Sequence, residues 1–347
     1  MSKKIQAITL DEHAKWDEIV KSFKNYDVYW LSGYVRAFEI NGDGQPLLFF
    51  YEDADTRGIN VVMKRYISND GLALNNDQEQ HFDFSTPYGY GGWIIEGDKT
   101  CELFDTYEKW CLNNNIITEF VRFHPVLMNN RVCENSYEVI RLGKVITLDT
   151  TSPEIIWSNL TSKNRNCIRK AQKNNVKIYN GQYPQIYKIF KDIYIKTMDR
   201  DNADEYYYFN QEFYDSILND LPYNAQVFYA EYKGDIIAAS IMLMSNGKMN
   251  YHLSALLKEY AALGVSNLLL YFAAVWASNN GYKTFYLGGG VGSNEDNLFK
   301  FKKSFFRGED LYSFYIGKKI FDQKVYDKLV KKNGTQEASF FPQYRSK

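Results

Sequence analysis

The stretch from Thr284 to Phe305, TFYLGGGVGSNEDNLFKFKKSF, gathers residue types that suit an activated acyl group. Thr284 to Leu287 is a short apolar run of strand type. Gly288, Gly289 and Gly290 then remove three side chains in a row, so the backbone can bend sharply and another group can come close. An acidic turn (Glu295, Asp296) and a basic, Phe-rich segment (Lys300, Lys302, Lys303) follow. Asp296 is a candidate acceptor for an amine proton; an Asx turn is the plain alternative. For the whole stretch the plain alternative is a Gly-rich loop after a strand.

Other side chains could hold phosphates or sugars. Arg36 and Arg200 are candidates for the phosphates of a nucleotide- or lipid-linked acceptor, because the guanidinium fork donates two parallel hydrogen bonds. Arg165, Arg169 and Lys170 lie on a basic helix and suit the phosphates of CoA or a tRNA. A solvated surface is the alternative for all five. Tyr88, Tyr90, Tyr207 and Tyr208 could line a groove for sugar or peptide, or pack in a core. His252 sits in a strand, Tyr251-His252-Leu253-Ser254. Alternation puts Tyr251 and Leu253 on one face, His252 and Ser254 on the other.

Composition limits the setting. A chain of 347 residues has room for two domains. Its 45% hydrophobic and 24% charged content is ordinary for a globular protein. Aromatics are rich at 17%, which codon bias explains as well as a binding groove does. The net charge of −1 creates no global field toward nucleic acid or acidic lipid. Cys101, Cys111, Cys133 and Cys167 show no CxxC spacing, and the four histidines are scattered. That pattern predicts a reducing compartment and no metal site. The start lacks the pattern of a signal peptide, and no run of 18 apolar residues exists. The expectation is a soluble cytoplasmic protein.

The elements that must position these residues read as a mixed α+β chain. Strands are expected at 46–52 and 59–66 as a hairpin, then at 116–123 and 138–148. Three consecutive strands, 225–232, 235–245 and 248–256, are joined by the hairpin signals Lys233-Gly234 and Asn246-Gly247. Helices are expected at 11–24, after Ser32, and at 101–113, 162–174, 185–198, 210–221 and 265–278. A strand at 311–316 and a helix at about 323–332 close the chain. Two features repeat in order, about 170 residues apart. Trp110 to Thr118 and Trp276 to Thr284 share W-x2-N-N-x3-T, and the 50–58 and 228–234 segments share strand, charged turn, strand. A tandem duplication accounts for both.

The repeated unit, the basic R-x3-R-K segment, Met198-Asp199-Arg200 with Tyr206-Tyr207-Tyr208-Phe209 after it, and LGGG…DNLFKFKKSF together resemble the Fem family of peptidoglycan-bridge aminoacyltransferases. The Ser85-to-Gly92 loop is similar to that of acetyltransferase-type relatives from bacterial polysaccharide gene clusters. The resemblance covers most of the chain. It implies two tandem GNAT-like (acyl-CoA N-acyltransferase) domains, at 1–145 and 146–317, with a C-terminal helix over about 318–347 packing back on the first. It also places the family's Phe-Lys at Phe301-Lys302, where a cation faces the donor phosphate or the developing oxyanion. Two departures stand out. No heptad run supplies the long helical arm of true Fem transferases. In place of the GNAT loop (Arg/Gln)-x-x-Gly-x-(Gly/Ala) stands Ala261-Ala262-Leu263-Gly264-Val265-Ser266, where only Gly264 fits.

The activity implied is acyl transfer to an amine, with no covalent nucleophile and no bound cofactor. The donor is a cosubstrate, acetyl-CoA or aminoacyl-tRNA, and Gly264, Gly288 to Gly290, Arg165 and Arg169 are the donor-side candidates. The acceptor is a nucleotide- or lipid-linked sugar or peptide of the cell envelope. Contact with the inner membrane face is peripheral at most, and DNA is not a partner. Two other readings stay open: a non-catalytic protein that kept the fold, and an RNA-binding protein that uses the basic helix.

Overall fold

The computed structural model describes residues 4–67, 80–333 and 340–346. The chain divides into two compact units, 1–142 with 314–347, and 143–313.

In the first unit β1 (Ile5–Ile8) is followed by α1 (His13–Ser22) and α2 (Ser32–Ile40). Ser32 does not cap α2. Leu31 holds that position, and the Asp17 carboxylate accepts from the Ser32 N–H at 2.9 Å instead. β2 (Gln45–Glu52) and β3 (Arg57–Tyr66) form the expected hairpin, whose turn is tied by Asp53 Oδ1 accepting from the N–H groups of Asp55 and Thr56. β4 (Phe82–Ser85), β5 (Ile94–Glu96), α3 (Thr100–Asn113) and β6 (Ile116–Arg122) follow. Strands β2, β3 and β4 are antiparallel, α3 carries the chain over to β6 parallel to β4, and a later strand, β13, pairs antiparallel with β6.

In the second unit β7 (Glu138–Asp149), whose first residues precede the division, leads to α4 (Pro153–Asn159) and α5 (Ser162–Lys173). Then come β8 (Lys177–Gly181), α6 (Pro184–Asp201), α7 (Gln211–Asp220), β9 (Ala225–Tyr232), β10 (Asp235–Ser245) and β11 (Lys248–Leu256). α8 (Val265–Asn279), β12 (Thr284–Gly288) and α9 (Asn297–Lys303) complete it. β13 (Tyr312–Ile320) and α10 (Gln323–Asn333) follow, and the division falls inside β13, whereas the sequence reading carried the second domain to 317. Strands β8 to β11 are antiparallel, α8 crosses to β12 parallel to β11, and β7 pairs antiparallel with β12.

The two sheets share one order: an edge strand, three antiparallel strands, a parallel strand reached through a helix, and an antiparallel closing strand. The repeated W-x2-N-N-x3-T motif spans α3–β6 in one unit and α8–β12 in the other. It fills the helix-to-strand corner of the same crossover twice, and this is the mixed, tandem α+β build expected. The core of the second unit sits between its sheet and α8, with Phe228, Met242, Leu269, Ala273 and Phe285 buried at its centre. α8 is apolar on nearly every side because it packs against β9 and β12 as well as against α4 and α5.

The first unit buries a carboxylate. Glu119 on β6 is inaccessible and accepts from Asn60 Nδ2 at 2.9 Å, Tyr107 OH at 3.1 Å and Tyr137 OH at 2.6 Å. Burial pushes its carboxyl up, and the three donors oppose that. Removing the acceptor strands all three donors in a dry core, which costs about 3 kcal/mol. Glu119→Ala is expected to lower the urea midpoint accordingly while the melting transition stays cooperative.

Candidate active site

The second sheet opens where the parallel strands part. Pairing between β11 and β12 runs through Lys248↔Thr284, Met249↔Phe285 and Asn250↔Tyr286, and ends there. Each strand carries an irregularity at the opening. β11 shifts register against β10 between its Ile241 and Met242 pairs, so His252 is the extra residue. β12 shifts against β7 between Tyr286 and Gly288, so Leu287 is the extra residue there. A bulge bends its strand and re-aims side chains. The two bulges flank an opening at the carboxyl end of parallel strands, the usual place for a ligand in such a sheet.

The bulge corrects one sequence expectation. Simple alternation puts Tyr251 and Ser254 on opposite faces. With His252 inserted, the Tyr251 phenol hydrogen-bonds to Ser254 and to Ser240, and the two serine hydroxyls lie 3.0 Å apart. No sequence signal marked Tyr251 or the two serines. Burial pushes the His252 imidazole down to about 3, so it is neutral across the physiological range.

The glycine loop and α9 form the other wall. Gly288 has φ +79°, a left-handed conformation that side chains rarely adopt. At Gly290 a Cβ would lie 2.3 Å from Asp296 Oδ1, so only glycine lets the loop close on that carboxylate. Asp296 caps α9: Oδ1 accepts from Phe299 N–H at 2.8 Å, and Oδ2 from Val291 N–H at 3.1 Å. Those backbone donors hold its carboxyl below the ordinary value.

Lys302, on α9, reaches back into the loop. It is only 8% exposed, and its Nζ donates to Gly289 O at 2.7 Å. The ammonium lies 5.9 Å from the centre of the Tyr251 ring. Burial pushes it down to about 8, against the pull of Asp296. A buried cation with one carbonyl partner beside a bare backbone can stabilise a developing negative charge, as the desolvation that lowers its pKa also strengthens its field.

The remaining candidates fall in separate places. Arg200 sits at the end of α6, with Nε and Nη2 on the Asp201 carboxylate and Nη1 donating to Leu256 O at 2.9 Å, at the carboxyl end of β11. Tyr208 donates to Asp199 at 2.9 Å, and Tyr207 packs edge-on against Tyr206. Arg165 donates to Leu160 O at 2.7 Å, tying the end of α4 to α5, and Arg169 lies over the Trp157 ring. Gly264 has φ +79°, and a Cβ there would lie 2.6 Å from Cys167 O, so it lets the start of α8 pack on the backbone of α5. Lys170 donates to Ala262 O in the same corner.

Arg36, Tyr88 and Tyr90 belong to the first unit. Arg36 stands near Glu39. Tyr34 OH donates to Tyr88 O, and the Tyr88 ring stacks on Phe38. Tyr90 packs edge-on against Tyr29, His124 and Phe314. Here the counterpart of the opening stays laced. Thr86 N–H donates to Phe120 O, Arg122 N–H to Thr86 Oγ1, and Gly91 N–H to Arg122 O, so the 86–91 loop keeps following β6.

A groove of about 330 Å³ lined by Thr147, Asp149, Lys283 and Tyr312 lies at the other end of β12 and holds none of these candidates. Among the described residues no cluster of three or more His, Cys, Asp or Glu is placed to hold a metal, and no helix is long and apolar enough to cross a membrane.

Residues 162–303 match the family model of the acetyltransferase (GNAT) domain, a range that runs from the start of α5 to the last residue of α9 and includes Lys302. That segment is a GNAT-type acyltransferase domain. Over nearly its whole length the chain shares the fold of FemX, with a TM-score of 0.66, 12% identity, and coverage of 93% of this chain and 99% of that one. The C-terminal domain of an Agrobacterium fabrum protein named as a lysylphosphatidylglycerol synthetase is also similar, at TM-score 0.57 and 15% identity over 93% and 95% of the two chains. So is a conserved protein of unknown function from Bacteroides thetaiotaomicron, at 0.58 and 11% over 90% and 98%. No curated protein matches the sequence.

The Lys302 environment makes a prediction about stability. Its folded value of about 8 lies below the ordinary 10.5. Between those values the unfolded chain binds the proton that the folded one has lost, so unfolding free energy rises with pH in that window. Denaturation series from pH 8 to 10.5 are expected to show this rise in the wild type and to lack its lysine component in Lys302→Met.

Proposed function

We propose that the chain transfers an acyl group, acetyl or aminoacyl, from an activated donor to an amine of a cell-envelope precursor, either an amino sugar of a surface polysaccharide or a muropeptide. The observation that carries this is the buried Lys302 ammonium at the opening between β11 and β12, inside the segment that matches an acetyltransferase domain. The donor carbonyl enters the opening, and the acceptor amine attacks it. Negative charge gathers on the carbonyl oxygen, the C–S or C–O bond to the leaving group breaks as the new C–N bond forms, and the proton the amine loses passes to the departing thiolate or alkoxide, giving the free thiol or alcohol. Lys302 faces the developing charge. The capped Asp296 holds the loop and α9 in place, since both its oxygens are committed to backbone donors. The cell-envelope acceptor rests on the Fem resemblance and on the FemX-like fold.

One observation favours aminoacyl-tRNA over acetyl-CoA as donor. A GNAT pyrophosphate loop presents backbone N–H groups at a helix start. Here only Gly264 of that loop is present, in Ala261-Ala262-Leu263-Gly264-Val265-Ser266. The competing observation is the acetyltransferase domain match itself.

Melting temperature measured against acetyl-CoA, CoA and bulk charged tRNA separates the donors, because a ligand of the folded state raises it with concentration. A dose-dependent rise with acetyl-CoA is expected for N-acetyl transfer, and one with charged tRNA for aminoacyl transfer. With the donor in hand, Lys302→Met is expected to lower kcat by about 10²- to 10³-fold with the fold intact. Full turnover in that variant, or no turnover of any donor by the wild type, would sink the reading.

A further inference from the structure

The opening between β11 and β12 holds an amine that little restrains. Lys302 enters it from α9. Among the described residues its Nζ has one hydrogen-bond partner, the Gly289 carbonyl at 2.7 Å, and no ion pair. Around it stand Asp296, whose two oxygens are taken by backbone N–H groups, the Tyr251 phenol, whose ring centre is 5.9 Å away, and Tyr286 on β12. Gly288 puts no side chain beside it: a Cβ there would lie 3.4 Å from Nζ and 3.9 Å from Tyr286 OH. The neighbouring lysines are placed differently. Lys300 is exposed, and Lys303 Nζ donates to the carbonyls of Phe306 and Gly308.

A group that stabilises a carbonyl oxygen is also close to the carbonyl carbon. Donors that serve an oxyanion stand about 2.7–3.1 Å from the oxygen, and the C=O bond adds about 1.2 Å at an angle. The carbon then comes within about 3.7 Å of Nζ, at the edge of the near-attack range of about 3–3.5 Å. We infer that Lys302 is itself an acyl acceptor: when the opening holds a donor but no acceptor amine, its neutral ε-amine takes the acyl group. This rests on the acyl-transfer reading of the same opening. Nζ attacks the carbonyl carbon and a C–N bond forms. The C–S bond of a thioester, or the C–O bond of an ester, breaks, and the proton that Nζ sheds passes to the departing thiolate or alkoxide. Nothing is oxidised or reduced. Desolvation supplies the reactive form, since with a value of about 8 close to half of the amine is neutral at pH 8. The amide N–H can still bond the Gly289 carbonyl. The amide carries no charge, however, and cannot meet developing negative charge, so a donor that outruns its acceptor silences the site.

Acetyl-CoA and the small thioester S-acetyl-N-acetylcysteamine, each incubated with the full chain and no acceptor, test this by intact mass and peptide mapping. At pH 8 Lys302 is expected to take an acetyl group about tenfold faster than Lys300, although Lys300 is the exposed one. Its labelling is expected to climb between about pH 7 and 9 and then level off, as the neutral fraction does. Lys302→Met is expected to lose the fast site and keep the slow labelling of Lys300 and Lys303. In urea the difference between Lys302 and Lys300 is expected to vanish, because the burial that creates it is gone. Labelling of Lys302 no faster than Lys300 in the folded chain, or a preference that persists in urea, overturns the inference. The readout is a modified residue and not turnover. A chain that turns over its donor without marking Lys302 overturns self-acylation alone and leaves the transfer reading intact.

Discussion

Two parallel strands stop pairing after Asn250 and Tyr286, and the second unit is arranged around the space they leave. A sheet interrupted in its middle exposes backbone groups and loses core contacts. It persists because other elements brace each side. On the β11 side the strand continues to pair with β10, and Thr197 bonds its Leu256 N–H at 3.2 Å. On the β12 side the strand keeps its pairing with β7, and the glycine loop is pinned by Asp296. Lys302 occupies the space itself, and its burial is the electrostatic cost of placing a charge there.

The same topology in the first unit solves the problem differently. Its parallel pair is β4 and β6, and the 86–91 loop continues the hydrogen bonding along β6 instead of leaving it. Its buried carboxylate, Glu119, is saturated by three donors, and Asp83 is held by Arg65, Arg345 and Tyr344. Those groups are spent on holding that unit together. One architecture thus appears in an open form with a buried, lightly satisfied cation and in a closed form with fully satisfied anions.

The candidate residues divide by the company they keep. Gly288 to Gly290 lie on the loop, and Asp296 and Lys302 at the two ends of the short α9 that follows it, with Tyr251 across from them. Arg200, Tyr207 and Tyr208 gather at the end of α6, with Arg200 already bonded to Asp201 and to the end of β11. Any phosphate bound by Arg200 would have to compete with that carboxylate, so its present geometry is that of a brace. Arg165 and Lys170 are braces in the same sense, each closing a carbonyl at a helix or turn end.

The order of elements was legible in the sequence because it rests on local physics. Hairpin turns at Lys233-Gly234 and Asn246-Gly247, apolar periodicity in α8 and the repeated Trp-to-Thr corner each act within a few residues. The strand, glycine loop and charged helix of the Thr284-to-Phe305 stretch were visible for the same reason, since each is written in adjacent residues. The short strands β1, β4, β5 and β8 were not legible, because a run of three to five residues is a strand only when a neighbour pairs with it. Nor was the contact of Tyr251 with Ser240 and Ser254, for alternation holds only until a bulge, and the bulge at His252 is set by pairing with β10. The sequence determined that Lys302 is a lysine beside a glycine loop. Tertiary structure decided that this lysine is buried, shares the Gly289 carbonyl and titrates near 8, because desolvation depends on which distant segments close around it.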